Sequence, residues 1–221
     1  MGISVLTHPT PRQFTGIKVF VFVLCLIPLG QMVHGIVTDS LGANPFEAVT
    51  RGLGDWALRL LLVTLAVTPL RRFTGFNWLL RVRRMLGLFT FFYAALHMLT
   101  YVWLDQFFDW PFILKDIVKR PFITVGFLSF VLLILLAVTS TNAMMKRLGR
   151  NWSRLHKAVY AIGVLGVLHF WWMVKADIRE PALYAGILAV LLGLRLIWMV
   201  WDGRRSAMAP RSHACTAVRR A

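Results

Sequence analysis

Six apolar runs dominate the chain, at 17–37, 56–70, 85–104, 122–140, 155–174 and 181–201. A helix needs about 20 mostly apolar residues to cross a hydrocarbon core roughly 30 Å thick, so each run is predicted to be a membrane span. The second is the weakest, being short and carrying Arg59 near one end, where a long side chain can snorkel to the interface. The first continues past Pro28 and Gly30 without the small-residue pattern of a cleaved signal peptide and reads as a retained span. With 58% hydrophobic and only 15% charged residues, the composition excludes both a soluble globular domain and a disordered chain. The predicted fold class is an all-α integral membrane protein, a bundle of six transmembrane helices.

The formal net charge of +16 could suggest nucleic acid, but its distribution gives it another meaning. One set of segments holds seventeen cations, among them Arg71, Arg72, Arg81, Arg83, Arg84, Lys146, Arg147, Arg150 and Arg154, against the single acid Asp202. The opposite set holds seven cations, including Arg51, Lys115 and Arg120, against eight acids. Positively charged loops stay cytoplasmic, which predicts both termini inside and no nucleic-acid role. Arg195, within the sixth run, is expected to snorkel to the inner interface. The chain divides into a cytoplasmic segment 1–16, a membrane domain 17–201 and a basic cytoplasmic tail 202–221, with membrane lipid the default partner of the basic loops. Trp110, Pro111 and the apolar Phe112-Ile113-Leu114 suit a short helix lying in the outer interface. Two cysteines, Cys25 and Cys215, make neither a disulfide framework nor a metal cluster, and no CxxCH is present for covalent haem.

Ionisable residues inside a bilayer are costly and mark function. His8 and His213 fall in the tails, and His34 ends the first span with an interfacial hydrogen-bonding role. His97 lies about 12 residues into the third span and His169 about 14 into the fifth, and the two spans run in the same direction, so both imidazoles sit at similar depth in the outer half. Two readings stay open. The pair can supply both axial ligands of one haem, with Phe91, Phe92, Tyr93, Phe170 and Trp171 as an aromatic lining, or the two can be unrelated groups satisfied by interhelical hydrogen bonds. His156 lies thirteen residues before His169, roughly 20 Å along a helix, deep enough for a second haem near the inner surface. The matching place on the third span holds Arg83, which suits haem propionates but not iron. Gly87, Ala94, Ala95, Ala161, Gly163 and Gly166 allow close helix approach or room for a flat cofactor.

The segments RRMLGLFTFFYAALHMLTYVW, TSTNAMMKRLGRNWSRLHKAVY and VLHFWW, with LGANP before the second span and TVGFLSF in the fourth, resemble the haem-binding membrane subunits of bacterial periplasmic methionine sulfoxide reductase systems, the MsrQ (formerly YedZ) family. The resemblance runs from the first span to the sixth. The wider group is the ferric-reductase-like transmembrane domain shared with NADPH oxidases and ferric reductases. It implies one or two haems b bound through His97, His156 and His169, with Arg83 where the oxidases carry a fourth histidine. It also implies an association with FMN, for which no motif is visible. By the same resemblance, the chain is expected to reside in the bacterial inner membrane and to pass electrons from the quinone pool to a periplasmic molybdopterin-containing catalytic subunit that repairs oxidised proteins. The donor is expected to be a quinol or a cytoplasmic flavin reductase. A membrane metal reductase of the same fold and a non-redox transporter or scaffold are the alternative functions. Chemistry on methionine sulfoxide is expected on the partner, because these loops hold no thiol or molybdopterin site.

Overall fold

A computed structural model describes residues 9–174 and 177–208. His8, Lys175, His213, Cys215 and the tail cations Arg211, Arg219 and Arg220 lie outside them. Nine α-helices and no strand occur among the described residues: α1 Pro11–Val37, α2 Pro45–Thr74, α3 Leu79–Thr100, α4 Trp110–Lys119, α5 Pro121–Val138, α6 Asn142–Leu148, α7 Arg150–Leu155, α8 Ala158–Met173 and α9 Arg179–Met208. A π-helical turn, Tyr101–Asp105, extends α3. Helices α1, α2, α5 and α9, and α3 with its π turn, are each long and apolar enough to cross a membrane. The predicted span 155–174 shortens to α8, 16 residues or about 24 Å, because Leu155 ends α7 and a two-residue turn at His156 precedes Ala158.

Helix α2 corrects the sequence reading most. Read as a short span at 56–70, it is a helix of 30 residues. Asn44 starts it by accepting a hydrogen bond from the Glu47 amide at 3.2 Å, with Pro45 in the first turn, so the LGANP motif is a helix start. Gly75, at φ 76°, closes the helix with its N–H on the Arg71 carbonyl and turns the chain into α3. Half of its most apolar window is buried, against about a fifth for the other spans. It carries one core on each side. Leu58, Leu61 and Leu65 pack with Leu133, Ile162 and Leu188, while Leu53, Leu60 and Val67 pack with Phe14, Leu86 and Tyr93. Arg59 does not snorkel from the end of this helix. It sits mid-helix and donates from Nε to the Tyr184 hydroxyl of α9 at 2.8 Å.

The side chain that ties α1 to this core is Tyr93, which is fully buried. Pro28 interrupts the hydrogen-bond ladder of α1. The Tyr93 hydroxyl enters that ladder, donating to the Cys25 carbonyl at 2.7 Å and accepting from the Leu29 N–H at 3.2 Å. Tyr93 is therefore a splice between α1 and α3, and it does not line the predicted cofactor space.

The start of α1 and the end of α9 come to the same face. The Arg81 guanidinium lies over Phe14 near the start of α1 at 4.0 Å, and Arg72 at the end of α2 pairs with Asp202 near the end of α9 at 2.8 Å. At the opposite face α4 forms where an interfacial helix was expected, capped by Asp109 on the Phe112 amide. It buries Ile113 and Asp116 and exposes Trp110, Leu114 and Val118. Asp116 is held by Arg120 at 3.2 Å and by the Tyr101 hydroxyl of the π turn at 3.4 Å.

Tyr93→Phe leaves the Cys25 carbonyl and the Leu29 amide without their bridge. It is expected to lower stability by about 1–3 kcal/mol, read as a fall in thermal midpoint in detergent micelles.

Candidate cofactor site between two buried imidazoles

The structure brings His97 and His169 together. Their ring centres lie 6.2 Å apart with the planes at 75°. Each ring is fixed by the same local device on a neighbouring helix. His97 Nδ1 donates to the Thr50 carbonyl of α2 at 2.8 Å, and His169 Nδ1 donates to the Phe122 carbonyl of α5 at 2.7 Å. A glycine follows each carbonyl by four residues, one turn on along the same face. A Cβ at Gly54 would meet the His97 ring at 3.2 Å, and one at Gly126 would meet His169 Nδ1 at 2.7 Å. The missing side chains are what let the imidazoles lie against the helices.

A carbonyl only accepts, so each Nδ1 carries the proton and each Nε2 keeps its lone pair. That tautomer is the one a metal-binding imidazole needs, oriented from behind by a backbone oxygen. Both histidines line a cavity of about 940 Å³, at the upper end of the range for small-molecule and cofactor sites. Its walls are largely apolar, from Leu58, Leu61 and Ile162 at the inner end to Trp110 and the π turn at the outer end, and the cations among them are Arg51 and Arg120. The aromatic lining differs from the one expected. Phe170 lines the cavity together with Phe122, Phe127 and Phe130, whereas Phe91, Phe92, Tyr93 and Trp171 do not. Of the small residues, Ala94 and Gly166 line it. No group of three or more His, Cys, Asp or Glu side chains is arranged to hold a metal ion among the described residues. A bare ion would find two imidazoles and no third protein ligand, whereas a metal already enclosed in a planar macrocycle needs only two axial ligands.

His156 and Arg83 lie elsewhere, toward the inner face. The His156 ring stacks on Trp152 at 4.1 Å, and its Nε2 is within 3.1 Å of the Thr139 hydroxyl at the end of α5. Trp152 donates from Nε1 to the Thr139 carbonyl at 2.9 Å, so the three side chains close the junction between α5 and α8. Arg83 reaches the Thr68 hydroxyl of α2 at 3.4 Å. Neither residue lines the cavity of His97 and His169.

A family model, the ferric reductase like transmembrane component, matches residues 53–167, which contain His97, Gly54 and Gly126. The match defines the class as a transmembrane domain of the ferric-reductase type. Similarity to named relatives is closer still. The chain is 56% identical over 200 residues to the protein-methionine-sulfoxide reductase heme-binding subunit MsrQ of Herminiimonas arsenicoxydans, covering 89% of this chain and 91% of the relative. It is 55% identical over 198 residues to the MsrQ of Ralstonia nicotianae, covering 88% and 91%. Against the MsrQ of Xanthomonas campestris pv. campestris it is 60% identical over 169 residues, covering 76% and 77%. The chain belongs to the MsrQ family. No solved structure matches it.

Gly126→Ala is expected to destabilise the fold by about 1–3 kcal/mol through overpacking against His169. Gly54→Ala, with the looser contact, should cost less, and Gly193→Ala, whose added Cβ meets nothing within 4 Å, should cost little. Thermal unfolding of the three variants in one detergent orders them.

Proposed function

We propose that this chain is the haem b-binding, electron-carrying membrane subunit of a protein-methionine-sulfoxide reductase system. It takes electrons on the cytoplasmic side from a quinol or a flavin reductase and delivers them to a periplasmic molybdopterin-containing catalytic subunit. The observation that carries the reading is the facing pair His97 and His169, 6.2 Å apart with both Nδ1 atoms committed to backbone carbonyls. With metal–nitrogen bonds of about 2 Å and five-membered rings of ~1.1 Å radius, from bonds of about 1.33 Å, two imidazoles sharing one iron have centres roughly 6.3 Å apart.

Bound haem supplies a one-electron carrier whose iron needs no further protein ligand. The residues of the chain do the rest. Thr50 and Phe122 hold the imidazole tautomers, and Gly54 and Gly126 make room for the rings. The apolar walls exclude water. Arg51 and Arg120, the cations on the cavity wall, receive the two propionates. Each is half-exposed and tied to a neighbouring acid, Arg51 to Glu47 at 2.5 Å and Arg120 to Asp116 at 3.2 Å. A second haem at the inner face would be held by His156, through the Nε2 that now meets the Thr139 hydroxyl, with Arg83 as the cation for its propionates.

The membrane domain spans 17–201 with six crossings, α8 among them, in the bacterial inner membrane. Both termini are cytoplasmic, in keeping with the contacts of the α1 start with α3 and of the α9 end with α2 at the basic face. FMN, if this chain carries it, binds without a recognisable motif.

Purified wild-type protein is expected to be red, with a Soret band that shifts on dithionite reduction. A colourless preparation from haem-replete cells overturns the reading. His97→Ala and His169→Ala should each abolish that band, and retention of full haem by both overturns the ligand assignment. His156→Ala should lower the haem-to-protein ratio and leave the His97/His169 signal in place. An Arg51→Gln/Arg120→Gln double variant should retain haem roughly fivefold more weakly through dialysis, the scale of exposed charge pairs.

A further inference from the structure

Arg195 is the sole charged residue between 181 and 201, and it does not do what an arginine two turns from the end of a span is expected to do. Its side chain turns into the bundle and away from the interface. The guanidinium lies over the Tyr160 ring at 4.7 Å from its centre and donates from Nη1 to the Tyr160 hydroxyl. Nη2 points to the Leu65 carbonyl of α2 at 3.4 Å, and Nε is buried with no hydrogen-bond partner. Among the described residues no carboxylate answers this charge. The ion pairs among the described residues are those of Arg51, Arg72, Arg120 and Arg179, and the inner-half acid Asp202 is bound to Arg72. The other cation near it, Arg83, reaches only a threonine hydroxyl and adds charge of the same sign.

The position of this cation gives it a use. Leu65 lies one helical turn inward of Leu61, and Tyr160 two residues inward of Ile162, and both Leu61 and Ile162 line the cavity of His97 and His169. Arg195 therefore sits just beneath the inner wall of that cavity. Along α8, Tyr160 is nine residues from His169, or about 13 Å. Burying a lone cation in a bundle is expensive, and hydroxyl and carbonyl partners offset only part of the cost.

We propose that Arg195 is a positioning charge that stabilises the reduced state of the metal group held between His97 and His169. The inference rests on the function proposed above. Reduction places one more electron, supplied by an external reductant, on a centre whose ligand His169 is about 13 Å along α8 from the tyrosine under the Arg195 guanidinium, and that rise sets the scale of the separation between charge and centre. At an effective dielectric constant near 20 that interaction favours the reduced form about eightfold, which corresponds to ~50 mV for a one-electron couple. Electrons arriving from the inner face meet this field before they reach the cavity.

The test is a potentiometric titration of purified full-length protein in detergent, followed by its Soret and α bands. Arg195→Gln should lower the midpoint of the His97/His169-dependent signal by about eightfold in reduction equilibrium, with haem content kept, and Arg195→Lys should restore most of it. Met199→Glu, one turn further along α9, supplies a counter-charge with Arg195 still in place and should shift the midpoint in the same direction, so it decides the matter if Arg195→Gln does not fold. Haem-loaded variants with an unchanged midpoint overturn the role of Arg195 alone. A wild-type preparation without any redox-active band overturns this inference together with the functional reading.

Discussion

Two hydrogen bonds, from His97 to the Thr50 carbonyl and from His169 to the Phe122 carbonyl, are the interactions on which the rest of the arrangement depends. In a medium without water, a buried imidazole must commit its N–H to something, and helix carbonyls have a second lone pair to offer. Accepting that offer requires the imidazole to press against a helix, which explains the glycine one turn further on in both cases. The two supports then dictate neighbours, with α2 beside α3 and α5 beside α8, the most extensive helix contacts in the molecule. What is left between the two pairs is the cavity.

Much of this was legible in the sequence, and what was not has a physical reason. Apolar runs located every long helix, and counting residues from the starts of the third and fifth spans placed His97 and His169 at one depth, because rise per residue is fixed in a helix. Main-chain acceptors carry no side-chain signature, so Thr50 and Phe122 could not be read. Gly54 and Gly126 stood unnoticed among sixteen glycines, since only a partner ring distinguishes them from ordinary packing glycines. The aromatic lining was misassigned because closeness in sequence does not decide which aromatic faces the cavity: Tyr93, one turn from His97, is drawn to α1, while Phe170, next to His169, lines the space. Phe122, Phe127 and Phe130 come from a different helix altogether.

Charged residues within the spans show the same contrast. Snorkelling is a sound expectation for an arginine with lipid on its face, and it fails for Arg59 and Arg195 because each meets a tyrosine of a packed neighbour, Tyr184 and Tyr160. Depth along one helix is visible in sequence, but which side of the helix meets protein is a tertiary fact. Helix α2 was underrated for the same reason. Its polar residues lowered its apparent length as a span, yet a helix with protein against more of its surface than the other spans can carry such groups.

The division of the site into two equal supports has a consequence for how such a chain matures. Helices α2 and α3 emerge from the ribosome first and can form their half with its imidazole already oriented, before α5 and α8 exist. The halves meet through far less direct contact between α3 and α5 than either has within itself. A flat apolar group lodged between them would supply the missing surface, and by mass action anything that binds only the joined state shifts the balance toward it. In that sense the guest would add to the core that Leu58, Leu61 and Leu65 already share with Leu133 and Ile162, and would tighten the hold of the two hairpins on each other.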